Sequence, residues 1–450
     1  LPDAGGELAA RLDRLLAASY PAAEPGAAVL VERGGQVILR KGYGMANLEL
    51  CVPVRPEMVF RIGSITKQLT AMAILRLAAE GKLALDDEVG KLLPGYPSHG
   101  RRITLENLLT HTSGIPNYTD FPAWKKIWRE RHTPSEIIDS FKDEPLDFAP
   151  GERWRYDNSG YVLLGAILEK VTGRPYTDWM AETLLRPLGM TSTVVGDSAA
   201  VVPGRVTGYQ GTPGHYVNAE SLTSANPYAD GAFLSTVDDV ARWSRGLDAG
   251  ALVRKDLLER MLTPYRLKDG RSTNYGYGWE LWSYEGHRVE EHDGILNGFK
   301  AELLRMPDDR LLVVILSNNL DHQPSPAMLA IEIAAMAIGK PLAERKTVHL
   351  APALLDRYAG TYRTEPDVVR VVSREGDRLF TQRAGFPKLE AFPAAENDFF
   401  YQGTMDRLRF VTNAAGNVTG LSLDRRYGGV ELGVRTGGAV SAEGKGAGSG

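Results

Sequence analysis

A single cysteine, Cys51, among 450 residues excludes an intramolecular disulfide and any cysteine-built metal site. An excess of one charge sign is also missing. Lys and Arg number 52 against 56 Asp and Glu, a net charge of -4, which supplies no electrostatic footprint for nucleic acid or an anionic membrane. Long apolar runs are lacking too: the stretch 326–338 is interrupted by Glu332 and is too short to cross a bilayer, so it reads as a buried helix. These absences leave a small molecule or short peptide as the expected partner, with no nucleic acid and no transmembrane segment. The chain starts at Leu1 rather than Met, as a processed export signal or a trimmed sequence would leave it, and a periplasmic or secreted location is the expectation.

What is present is enough chain for one large domain and a smaller one. Leu8, Leu12, Leu15, Leu16 and Tyr20 recur at helical spacing, and residues 27–40 then read as a hairpin turning at Arg33-Gly34-Gly35. From Ser64 to Glu80 a mostly apolar segment has no clean polar face, which predicts a central helix buried on most sides. Further helical patterns fall at 104–110, 134–142, 159–172, 175–186, 236–247 and 252–262. Strand patterns follow at 276–284, 287–292, 299–306 and 311–317, then a helix at 327–338. One sheet drawn from both ends of an α/β domain, 1–345, with helices on it and an all-helical lobe beside it, fits this order. Short alternating runs at 368–373, 378–382, 399–402, 407–411 and 418–423 predict a small all-β domain over 346–438. The Ala-, Gly- and Ser-rich tail 439–450 is expected to be disordered.

Ser64 and Lys67 are three residues apart at the expected start of the buried helix, so their side chains share one face of its first turn. A helix N-terminus supplies backbone N–H groups that favour an oxyanion at the serine. The apolar neighbours Ile65, Leu69, Met72 and Leu75 would desolvate Lys67 and lower its pKa, so that its neutral form can accept the serine proton. The bland alternative is a capping serine beside a solvated lysine, and an isolated Ser-x-x-Lys arises about once by chance in such a chain. A second element raises the specificity. Tyr156 and Asn158 end the turn-rich segment 150–158 just before a helix, where a phenol can share a proton with lysine and an amide can anchor lysine or bind a substrate carbonyl; Asn158 could equally cap that helix. Tyr216-Val217-Asn218 repeats the Tyr-x-Asn pattern in an expected loop and carries little weight. The third element, His292-Asp293-Gly294, is expected to end a strand where a small residue permits close approach to a ligand. Lys268-Asp269-Gly270 is its rival, read as a polar turn.

Phe60-Arg61-Ile62-Gly63-Ser64-Ile65-Thr66-Lys67, Leu108-Leu109-Thr110-His111-Thr112-Ser113-Gly114-Ile115-Pro116, Tyr156-Asp157-Asn158 and His292-Asp293-Gly294, in that order, resemble the serine β-lactamase and penicillin-binding-protein superfamily. The branch they resemble is the class C-related group of D-aminopeptidases, D-alanyl-D-alanine carboxypeptidases and family VIII esterases, over about residues 20–340. The resemblance implies an antiparallel sheet flanked by helices, and a lipocalin-like barrel for the β-rich region. It makes Ser64 the nucleophile, Lys67 and Tyr156 the base and acid pair, Asn158 an anchor for substrate and lysine, and the N–H groups of Ser64 and Ile295 the oxyanion hole. His292 would stand where β-lactamases carry lysine, and Asp293 and Gly294 would edge the pocket. No cofactor or metal enters this expectation. Histidine in place of lysine, and Asp293 where a hydroxyl residue is common, disfavour a β-lactamase. The leading expectation is hydrolysis of an amide or ester through acyl-Ser64, as in a D-amino-acid peptidase, amidase or esterase. The alternatives are a penicillin-binding D-alanyl-D-alanine carboxypeptidase or weak class C-like β-lactamase, and a non-catalytic binding module.

Overall fold

Two runs, Ala27–Arg33 (β1) and Leu311–Ser317 (β6), are apolar almost without alternation, the pattern of strands covered on both faces. In the computed structural model, which describes residues 4–438 apart from Ser98, Ser198, Ser221, Ser224, Ala225, Ala251, Pro366, Asp367, Gly385 and Tyr427, they are the centre of a six-stranded antiparallel sheet. The other strands are Gln36–Tyr43 (β2), Glu280–Tyr284 (β3), His287–Leu296 (β4) and Phe299–Met306 (β5), and the sheet order is β3-β4-β5-β6-β1-β2. Register runs Leu30↔Val314 and Leu303↔Val314, so strands almost 300 residues apart in sequence are zipped together. Gly34 and Gly35 both take positive φ, 61° and 81°, at the β1–β2 turn, a conformation that a tight hairpin demands and that glycine adopts without strain.

Helices Ala4–Ser19 (α1) and Pro326–Ala337 (α5) pack against this sheet and each other, and Val237–Asp248 (α4) packs on β1 and β6. The helical part between β2 and β3 centres on Thr66–Ala79 (α2) and Ser159–Thr172 (α3), which pack together. Of the 14 residues of α2, 11 are buried, so the helix expected to be central is enclosed on nearly every side. No helix among the described residues is long and apolar enough to cross a membrane.

Three local expectations are corrected. The strand expected over 287–292 continues to Leu296, because its pairing with β5 persists through His292↔Leu303 and Gly294↔Ala301. The strand expected from 276 begins at Glu280, since Gly278 takes φ 75° where the backbone passes close to α2. Tyr216-Val217-Asn218 lies on a strand, His215–Asn218, paired with Tyr209–Thr212. Tyr216 and Asn218 are held there by Glu24 and Glu49 at 2.8 and 2.7 Å.

The chain divides between Leu342 and Ala343 into two compact units. The second contains a short helix, Pro352–Tyr358, and eight strands closed into an up-and-down antiparallel barrel, from Gly360–Glu365 (β7) to Val430–Gly437 (β14). Closure comes from pairing of β7 with β14, Tyr362 facing Arg435. Its core, which includes Tyr358, Tyr362, Phe399, Leu408, Phe410 and Leu421, shares no residue with that of the first unit. The tail 439–450 lies outside the described residues. Because each unit has its own core, a chain terminated after Leu342 is expected to melt in one cooperative transition by circular dichroism and to retain reactivity towards a fluorophosphonate. An insoluble or inert product would show that the second unit completes the first.

Candidate active site

Ser64 does not sit on the α-helix itself but on a 3-10 turn, Gly63–Ile65, that leads directly into α2. The spacing still brings the two side chains together: Lys67 Nζ lies 3.1 Å from Ser64 Oγ. Lys67 is fully buried, and its three ammonium hydrogens have three acceptors, Ser64 Oγ, Asn158 Oδ1 at 2.7 Å and the backbone carbonyl of Asp230 at 2.9 Å. Burial pulls the Lys67 pKa down to about 8, against the charges of Asp230, Asp157 and Asp293, which raise it. A tenth or so of the lysine is therefore neutral at pH 7.

Tyr156 reaches the same serine from the other side, its hydroxyl donating to Ser64 Oγ at 2.7 Å. Burial holds this phenol well above its ordinary pKa, so it is a proton donor rather than a standing base. Asn158 occupies the N-cap position of α3 without capping it. Asp157 instead accepts the Gly160 N–H at 2.6 Å, which leaves the Asn158 amide for Lys67 and for Thr119 Oγ1 at 3.2 Å. That exchange of duties decides between the two readings open for Asn158 in the sequence.

The edge of β4 is brought against the Ser64 turn by two glycines. A Cβ on Gly294 would lie 2.0 Å from the Ile62 carbonyl and 3.2 Å from Ser64 N, and one on Gly63 would lie 2.8 Å from Ile295 N. The backbones of residues 63–64 and 294–295 therefore touch only because both positions lack side chains. Ile295 is exposed and lines the cleft in front of Ser64.

His292 is completely buried and faces inward. His111 Nδ1 meets both the Asp157 N–H, at 3.2 Å, and Asp157 Oδ2, at 3.3 Å, and its Nε2 lies 3.2 Å from Tyr275 OH. Tyr275 in turn donates to His292 Nε2 at 2.8 Å, and His292 Nδ1–H donates to the Asp293 carbonyl at 2.6 Å. Burial, reinforced by the charge of Lys67, lowers the His292 pKa to about 3, and burial lowers that of His111 as well. Both rings are thus neutral links in one chain, and His292 supplies no positive charge and no open nitrogen to a substrate. Glu280, His292 and Asp293 bring potential metal ligands within 4.8 Å of one another, but both His292 nitrogens are already engaged.

Asp293 is partly exposed, with a carboxylate oxygen 4.0 Å from His292 Nδ1. The rival Lys268-Asp269-Gly270 is an exposed turn in which Asp269 binds Arg271 at 2.7 Å. Sequence reasoning missed several residues of the site: Asp230, Tyr118 and Thr119, the aromatic wall Trp124 and Trp128, and the link Tyr275. None belongs to a short motif, and only the fold brings them beside Ser64, around a cleft of about 250 Å³.

A family model described as Beta-lactamase matches residues 12–337, and one described as Domain of unknown function (DUF3471) matches 344–435. The chain is 29% identical over 408 residues to penicillin-binding protein 4* of Bacillus subtilis, covering 85% of this chain and 89% of that protein. It is 28% identical over 352 residues to a D-aminopeptidase of Gluconobacter oxydans, covering 76% of this chain and 64% of that one. Among solved structures it superposes on an octameric penicillin-binding protein homologue from Pyrococcus abyssi with TM-score 0.66 and 27% identity, covering 95% and 99% of the two chains. A D-stereospecific amidohydrolase from Streptomyces gives TM-score 0.61 at 27% identity, covering 72% and 97%.

Gly294→Ala tests the contact between β4 and the serine turn. The added methyl must displace one backbone from the other, so the variant is expected to lose about 1–3 kcal/mol of stability. Its fluorophosphonate labelling is expected to slow by about tenfold or more. Thermal melts and labelling rates measure the two effects, and wild-type behaviour in both would show that the contact is slack.

Proposed function

The chain belongs to the Beta-lactamase family and is a serine hydrolase, and from that premise we propose that it cleaves an amide or ester through an acyl-Ser64 intermediate. The observation that carries the reading is the position of Ser64 Oγ, within hydrogen-bond reach of Lys67 Nζ and Tyr156 OH together. Neutral Lys67 takes the Ser64 proton as Oγ attacks the carbonyl carbon, and the oxyanion that forms is met by the N–H groups of Ser64 and Ile295. Tyr156 gives its proton to the departing nitrogen or oxygen and is reprotonated from Lys67. Water then cleaves the acyl-serine with these proton transfers reversed. Asn158 holds Lys67 in place and offers its amide to the substrate.

The relatives named for D-aminopeptidase and D-stereospecific amidohydrolase activity support a D-amino-acid peptidase or amidase. A second reading, a penicillin-reactive carboxypeptidase or weak β-lactamase, is favoured by likeness to penicillin-binding protein 4* over most of its length. Asp293 weighs against it: a carboxylate at this edge repels a leaving group that carries a free carboxylate. Covalent labelling by a fluorescent penicillin separates the two readings in part, because an amidase need not be acylated by it.

Ser64→Ala is expected to abolish turnover of p-nitrophenyl esters and D-amino-acid p-nitroanilides while preserving the fold, since it removes only the hydroxyl oxygen and keeps the Cβ and backbone of the turn. Activity at the wild-type level would remove Ser64 from the reaction. Because the base is neutral Lys67, kcat/KM for an uncharged ester should climb about tenfold per pH unit and level off above about pH 8. A profile flat from pH 6 to 9 would exclude Lys67 as the base. Asp293→Thr should selectively improve substrates with a free carboxylate over their amidated counterparts, by about tenfold at low salt and less as salt rises. Equal changes for both would show that Asp293 shapes the site without selecting its ligand.

A further inference from the structure

The mechanism leaves one charged group in the cleft unused. Asp230 is only 5% exposed, yet it lines the cleft beside Ser64 and is the one residue of charged type among the described lining residues. Its Oδ2 accepts a hydrogen bond from Tyr118 OH at 2.8 Å, the one donor to its carboxylate among the described residues. Lys67 cannot complete it, because the three ammonium hydrogens go to Ser64, Asn158 and the Asp230 backbone carbonyl. A carboxylate so enclosed and so sparsely bonded is costly to keep ionised. Burial pushes its pKa up to about 7 even though Lys67 and Tyr118 pull it down. The same cleft is lined by Tyr118, Trp124, Trp128, Leu222 and Leu296, with the neutral polar Thr119, Asn158 and Asn297, so its mostly apolar lining carries a single anionic residue.

We infer that Asp230 is a specificity residue that binds the ammonium group of the substrate's acyl portion, with the apolar side chain of the same residue packed on Trp124 and Trp128. The substrate class is then an amide or ester of an apolar amino acid whose α-amino group is free. This deepens the hydrolase reading and rests on it. The cation of such a substrate supplies the partner that the protein withholds. It also offsets the field of Asp230, which otherwise raises the pKa of Lys67, so binding of the correct substrate favours the neutral lysine that the reaction requires.

The test compares D-phenylalanine p-nitroanilide with its deamino counterpart, phenylpropionyl p-nitroanilide. Wild type is expected to prefer the amine by about tenfold or more in kcat/KM, and Asp230→Asn to bring that ratio near unity. The titratable groups facing Asp230 are Lys67, Tyr118, Tyr156, Tyr176 and Asp157. Dividing one substrate's rate by the other's cancels the ionisations that serve both. The wild-type ratio should therefore rise about tenfold from about pH 5.5 to about pH 7, as Asp230 ionises and the substrate amine stays protonated. A ratio that ignores both pH and the Asp230→Asn change overturns the inference. A second readout does not need turnover: phenylalaninamide should protect Ser64 from a fluorophosphonate far better than phenylpropionamide. Selective protection without turnover of either anilide or of the corresponding p-nitrophenyl esters would keep the ammonium subsite and overturn the hydrolase reading; equal protection by both amides would overturn the subsite.

Discussion

Much of the site depends on how Lys67 is buried. A lysine with no exposure is tolerated only if its charge is lost or every hydrogen is received, and removal from water costs on the order of several kcal/mol otherwise. The chain does some of each. Three acceptors from three separate segments meet the three hydrogens, while burial draws the pKa to about 8. The turn bearing Ser64, the loop ending at Asn158 and the backbone at Asp230 are thereby held to one nitrogen. Their geometry cannot drift without exposing an unpaired ammonium hydrogen in a dry interior.

A second constraint is the contact of two backbones at Gly63 and Gly294. It fixes the distance between a strand of the sheet and the turn before the central helix, and so sets the width of the cleft at Ser64. The sheet is suited to this because β4 is paired to β5 through the whole segment, which holds Gly294 and Ile295 in register. Behind it, the neutral chain from His111 through Tyr275 to His292 satisfies buried polar atoms without adding a charge beside Tyr156, whose ring centre lies 6.1 Å from that of His292. Among the described residues, three carboxylates act on Lys67, at positions 157, 230 and 293. All three raise the pKa of Lys67 and so oppose the effect of its burial.

Much of this was legible in the residues themselves. Helical spacing and the enclosed segment after Ser64 predict the central helix, the apolar runs predict the covered strands, and a change to short alternating runs predicts the β-rich second part. The four motifs in their order identify the superfamily, and the family match over residues 12–337 agrees with them. Local patterns carry such information because periodicity and short-range spacing are properties of neighbouring residues. They fail where strand pairing overrides them. Tyr216 and Asn218 lie on a strand because it pairs with Tyr209–Thr212, and β4 outran its expected end because β5 kept pairing with it.

The sequence by itself determined the class of fold and singled out Ser64, Lys67, Tyr156 and Asn158, since these follow from composition, period and motif. Only the tertiary structure decided their states. That Lys67 is partly neutral, that Asn158 leaves capping to Asp157, and that His292 is an uncharged interior link each depend on burial and on partners tens or hundreds of residues away. Asp230 is the clearest case. In the chain it is one aspartate among 56 acidic residues, with no motif around it, and its place as the charged group of an apolar cleft arises solely from the packing that desolvates it.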